Sequence, residues 1–177
     1  MRSVPRKLAT VLLVTVLAGC NPQNASQSGP TVNGEGFAGV KFGMKVAEAE
    51  KALGHKLAAP GTDAAEGDCS YVEPVGAYTG LAFMVIGGTI ARVDVQETDK
   101  IVTDTGAKVG DTESHVLELY KGRTKVEPHH YTGPEGHYVL VLGGDGKAQI
   151  VFETDGGKVV GYRAGRQPEV EWVEGCS

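Results

Sequence analysis

Apolar and polar positions divide the chain into three stretches. Residues Leu8 to Leu17 are an apolar run broken only by Thr10 and Thr15. Residues 21–36 (NPQNASQSGPTVNGEG) are almost wholly polar, with Pro and Gly interspersed. From Phe37 onward apolar residues recur periodically. Val46, Ala49 and Leu53 fall at i, i+3 and i+7, one face of a helix, with Glu48, Glu50 and Lys51 on the other. Gly54 marks the stop of that helix. Val116, Leu119 and Tyr120 predict a second helix, with Asp111 or Thr112 as N-cap, Glu113 in its first turn and Gly122 at its end. Alternation at period two follows each helix. Leu81–Ile86, Gly87-Gly88 and Thr89–Gln96 read as a hairpin, in which Arg92, Asp94 and Gln96 alternate with Ala91, Val93 and Val95. His137–Leu142, a Gly-rich turn and Ala148–Thr154 repeat the idea. A last hairpin turns at Asp155-Gly156-Gly157 into Lys158–Ala164.

An internal repeat underlies the pattern. Gly39-Val40-Lys41-Phe42-Gly43 recurs as Gly106-Ala107-Lys108-Val109-Gly110, and a helical stripe follows each copy. The expected fold is therefore α+β: two tandem copies of a short helix followed by antiparallel strands, with the helices packed on one sheet face. The organisation reads as a leader over 1–19, a flexible tether over 20–36 and a domain over 37–177. Repeat one covers about 37–100 and repeat two about 101–177. The tether composition cannot bury enough surface to offset its chain entropy. As a random coil it reaches about 20–25 Å.

Arg2, Arg6 and Lys7 precede the apolar run, and Leu17-Ala18-Gly19-Cys20 closes it. Small side chains before a cysteine suit signal-peptidase cleavage. The pattern resembles the lipobox of bacterial lipoproteins. In that family the residue matching Cys20 becomes the first of the mature chain and carries lipid. A plain secretory signal ending in Cys is the alternative. Some ten apolar residues are too few for a helix across a bilayer core of about 30 Å. By the same resemblance, Asn21 rather than Asp after the cysteine favours the outer membrane, facing the periplasm. The membrane is then one partner, reached through lipid on Cys20.

Charge narrows the remaining partners. The formal charge of −5 becomes −8 once Arg2, Arg6 and Lys7 are removed with the leader. An acidic chain is a poor ligand for nucleic acid or for anionic head groups. Of the three cysteines, Cys69 and Cys176 remain as an even pair in an oxidising compartment, so they are expected to form a disulfide. Two free thiols are the alternative.

Gly39 to Gly54, and less closely Gly106 to Gly122, carry a G-x-x-x-G segment that opens a short helix, then a Gly stop, then hairpin strands. This resembles the SmpA/OmlA type, the small lipoproteins of the outer-membrane β-barrel assembly machinery. It also resembles the β-lactamase inhibitory proteins, which are built from two tandem copies of such a unit. Lys45 stands where those families place a Ser or Thr cap, and Asp111 replaces the Met of the first copy, Met44. The resemblance bears on the fold rather than the function; no cofactor is expected.

No catalytic or phosphate-binding motif is present. Glu153, Asp155, Glu169, Glu171 and Glu174 are expected as solvated carboxylates, and His55 and His115 as surface residues beside the helices. His129-His130-Tyr131-Thr132-Gly133-Pro134-Glu135-Gly136-His137 could ligate zinc or copper by residue type. Adjacent residues in an extended chain face opposite ways, however, so His129 and His130 cannot share one ion without a sharp turn. The segment reads as a surface loop with no metal. The expected function is a non-catalytic binding or scaffold module for an envelope protein; the alternative is an inhibitor or immunity-type protein against a periplasmic hydrolase. Carbohydrate binding has few platforms, with four Phe, six Tyr and one Trp. Contact candidates are Tyr131, Tyr138, Arg163, Arg166 and Trp172, since Tyr, Trp and Arg dominate binding hot spots. A lone Trp is more often a core plug, so Trp172 counts as a contact only if it is exposed.

Overall fold

The computed structural model describes residues 29–59 and 68–176. Cys20 and the leader lie outside the described residues. The strands are β1 (Thr31–Asn33), β2 (Gly36–Phe37), β3 (Val40–Lys41), β4 (Leu57–Ala58), β5 (Cys69–Pro74), β6 (Leu81–Ile86), β7 (Thr89–Gln96), β8 (Val102–Thr103), β9 (Thr124–Pro128), β10 (His137–Leu142), β11 (Ala148–Asp155) and β12 (Lys158–Gly165). Two helices, α1 (Val46–Leu53) and α2 (Glu113–Leu119), and a 3-10 turn at Glu169–Glu171 complete the set.

Eight strands form one sheet in the order β4-β5-β6-β7-β12-β11-β10-β9. All its pairs are antiparallel, and its two halves meet where β7 pairs β12, Val95 opposite Tyr162 and Asp94 opposite Arg163. A four-stranded sheet, β3-β2-β1-β8, is antiparallel except where β1 runs parallel to β8.

These observations correct the expected α+β class of tandem helix-plus-strand copies. The chain is mostly β, 42% strand against 13% helical, with two helices among the described residues. The helices have eight and seven residues. Elements of two turns bury few side chains, so strand pairing and sheet packing carry the fold. The tether is corrected too. Residues 31–36, placed in it by composition, contribute β1 and the start of β2, with Val32 fully buried. One Val in a polar stretch suffices because β8, from far along the chain, supplies the pairing edge.

The sheet's two faces differ. One face holds the main core, where Phe83, Val93, Val95, Val139, Phe152 and Tyr162 pack with Ala49 and Leu53 of α1, Val116 of α2, and Val32, Phe37 and Val40 of the small sheet. The alternating side chains on the other face are more polar. That face is crossed by the C-terminal segment 166–176, here called the strap. Beneath the strap Tyr138, Leu140, Val151 and Val170 form a second, smaller core.

The motifs after each glycine pair bind the sheet in the same way. Gly43 N–H donates to Ile90 O and Ile90 N–H to Met44 O; Gly110 N–H donates to Val159 O and Val159 N–H to Asp111 O. Each short helix is thereby stitched to the first residues of a long strand. The helix starts differ chemically. Thr112 Oγ1 accepts from His115 N–H at 3.2 Å, an ordinary N-cap. At Lys45 no such side chain exists, and Glu48 reaches back instead to accept the Lys45 N–H at 2.9 Å. Gly54 closes α1 in the left-handed region at φ 75°.

Candidate functional site

The strap face concentrates the polar chemistry of the molecule. Alternation along β7 puts Arg92 and Asp94 on it, and alternation along β11 and β12 adds Glu153 and Arg163. Both arginines are buried, 3% and 5% exposed. A buried guanidinium needs acceptors for its five donors. Arg92 finds them all. Nε donates to Asp94 Oδ2 at 2.9 Å, and Nη2 reaches Asp94 Oδ1 at 2.9 Å and the Tyr71 hydroxyl. Nη1 donates to the carbonyls of Glu169 at 2.8 Å and Trp172 at 2.7 Å. Arg163 Nε donates to Val170 O at 2.7 Å, and Nη1 pairs with Glu153 Oε1. Three strap carbonyls are thus held by two arginines of the central strands. The Cys69–Cys176 disulfide fixes the strap's far end to β5, at a sequence separation of 107.

Burial holds the Asp94 carboxyl above its ordinary range, against the pull of Arg92 and Arg163. Burial, and then the charge of Asp94, push the Tyr71 phenol up. Burial likewise raises Tyr138.

On either side of the strap lies an open groove. One, of about 490 Å³, is lined by Tyr71, Ala82, Arg92, Asp94, Glu153 and Glu174 among others. The other, also about 490 Å³, has Tyr138, Leu140 and Val151 in its floor and Lys125, Glu127 and Lys147 among its walls. Asp94 is paired with Arg92, and Glu153 with Arg163. The expectation that Glu153 and Glu169 are solvated is corrected. Glu169 is 6% exposed and pairs with Arg166, because the strap turns it inward.

The sequence candidates separate by burial. Tyr138 is 3% exposed and packs against the His129 imidazole, ring centroids 4.4 Å apart, and against the Arg163 guanidinium at 5.8 Å. Tyr138 and Arg163 are thus not surface contacts. Arg166 is half-buried against Glu169. Trp172 is 38% exposed, beside the disulfide. Tyr131 is 69% exposed. Its loop is fastened from below, since the His129 Nδ1 accepts the N–H groups of both Tyr131 and Thr132, at 3.1 and 3.2 Å. The His129 Nε2 lies 3.8 Å from Glu153 Oε2. His137, at the loop's other end, instead meets Glu113 of α2 at 2.8 Å. The histidines therefore diverge, and among the described residues no three of His, Cys, Asp or Glu come together as metal ligands would. Among them, too, no helix is long and apolar enough to cross a membrane.

Sequence reasoning missed Arg92, Tyr71 and His129 as members of one network. The alternation of Arg92 and Asp94 was visible, but the strap that covers them was not.

No protein-family model matches the sequence, and no curated protein matches it. Among solved structures it is similar to the uncharacterized protein yfeY from Escherichia coli, at 20% identity, with 77% of this chain and 99% of that chain covered and a TM-score of 0.49.

Proposed function

We propose that this chain is a lipid-anchored protein of the cell envelope whose domain binds another envelope protein and carries out no reaction. Arg2, Arg6 and Lys7, the apolar run to Leu17 and the small residues before Cys20 support the anchor. The Cys69–Cys176 disulfide supports an oxidising compartment. Outer-membrane placement rests on Asn21 alone.

One observation carries the binding reading: Tyr131, 69% exposed, stands on a loop whose backbone is bonded to the stacked His129 imidazole. A large amphipathic side chain held out on an ordered loop loses little entropy when it enters a partner's pocket. A rigid loop of this kind also favours a second reading, an inhibitor that inserts Tyr131 into the cleft of a periplasmic hydrolase.

The test uses the full chain as bait in an envelope extract. A stoichiometric partner retained by the wild type and by Val160→Ser, but lost by Tyr131→Ala, is the expected result. Recovery of barrel-assembly subunits supports the scaffold form, and a single hydrolase supports the inhibitor form. Equal capture by Tyr131→Ala overturns the reading. Fatty-acid labelling of wild type against Cys20→Ala tests the anchor separately, with loss of label expected in the variant.

A further inference from the structure

The eight-stranded sheet ends at β9, and this edge is open. The hydrogen-bond phase of the β9–β10 pair decides which backbone groups point outward. Leu142 N–H donates to Arg123 O at 2.7 Å, and His129 N–H donates to Gly136 O at 2.9 Å. With the register Leu140 opposite Lys125 and Tyr138 opposite Glu127, residues 123, 125, 127 and 129 therefore turn their peptide groups toward β10. Thr124, Val126 and Pro128 turn theirs away, and no partner meets those groups among the described residues. Val126 is 43% exposed.

We propose that β9 pairs with β9 of a second copy of this chain, antiparallel about a two-fold axis at Val126. In that register Val126 faces Val126 of the second copy and the two exchange both backbone hydrogen bonds. The Thr124 N–H meets the Pro128 carbonyl; the return bond is missing, because Pro128 has no N–H, so the Thr124 carbonyl is left to water. All four outward donors of the two strands are then satisfied.

The side chains select this register. Lys125 and Glu127 share one face, where they already pair at 2.6 Å. Centring on Val126 sets Lys125 of each copy opposite Glu127 of the other. A shift of two residues one way sets Lys125 against Lys125, though with Arg123 then opposite Glu127, and a shift the other way sets Glu127 against Glu127. Cross-strand pairs of opposite charge stabilise and like pairs oppose association. Lysine and proline on an edge usually block promiscuous pairing. Here their spacing makes the register centred on Val126 the one in which no like charges of Lys125 and Glu127 face each other. The pairing is isologous and closes at two copies.

The test uses the full chain with Cys20→Ala, which removes the cysteine outside the disulfide. Val126→Cys in that background places two thiols on strands about 5.5 Å apart between Cα atoms, within disulfide reach. Mild oxidation should give a covalent dimer. Thr124→Cys, whose opposite number is Pro128, should give none. Adding Lys125→Glu or Glu127→Lys to Val126→Cys should each slow cross-linking about tenfold. Mixing those two charge variants should restore it, because the acidic strand then meets the basic one. Cross-linking at position 124 equal to that at 126, or failure of the mixture to recover, overturns the proposal. These positions are independent of Tyr131.

Discussion

Arg92 shows how much one side chain can organise. Its guanidinium joins two sheet residues, Tyr71 and Asp94, to two carbonyls of the strap. Arg92→Met leaves Asp94 buried without its partner and should cost about 3–5 kcal/mol, measured by urea unfolding. Asp94 gives a pH signature. Its folded carboxyl binds the proton more tightly than an ordinary aspartate at 3.8, so the stability it contributes is complete below that value. That stability is lost as pH rises through the raised pKa. Asp94→Asn should therefore flatten the loss of stability as pH rises above about 4, read as the urea midpoint against pH. Gly165 faces Arg92 across the strands, and a Cβ there would lie 3.0 Å from both Ala91 O and Arg92 Cβ. Gly165→Ala should cost about 1–3 kcal/mol in the same assay. The alternation of Arg92, Asp94 and Gln96 reads from sequence as a solvated face. The acceptors that bury Arg92 arrive from 77 and 80 residues later, and no local pattern announces them.

Among the elements, those with local signals were legible. The first helix runs Val46–Leu53 and ends at Gly54, and the hairpin strands fall at Leu81–Ile86, Thr89–Gln96 and His137–Leu142, because caps, turns and periodicity are all short-range. The second helix stops at Leu119, with Tyr120 rather than Gly122 closing it, since Tyr120 turns into the core. Strands of two to five residues, among them β1, β4, β8 and β9, do not show in the sequence. They are too brief to show a period; β1 and β8 exist by pairing with each other across about 70 residues, and β4 and β9 by pairing with the next strand in the chain. Thr112→Ala should cost about 1 kcal/mol, as loss of an N-cap does. The strap depends on its far anchor as well. The double substitution Cys69→Ser and Cys176→Ser should cost about 2–5 kcal/mol and expose the segment after Gly165 to protease, followed by mass.

At the scale of the whole molecule, the repeat seen in sequence does not make two independent bodies. The β7–β12 pair joins the halves into one sheet, and the main core draws Phe83 and Val93 from one half and Val139 and Phe152 from the other. A chain cut near residue 100 would leave β7 and β12 as unpaired apolar edges. Unfolding of the intact chain should accordingly be one transition, coincident by far-UV dichroism and by tyrosine absorbance, and neither half should fold alone. The charge-selected edge at β9 belongs to this scale too, since a second copy would extend the same sheet rather than cover a face.

The strap also gives the molecule its own optical gauge. Trp172 is the single indole in the chain, and it lines the same surface hollow as Cys69 and Cys176. A sulfur–sulfur bond quenches the emission of an indole beside it. The fluorescence of the native protein should therefore be dim under oxidising conditions and brighten when a reductant opens that link, reporting the thiol state without any added dye.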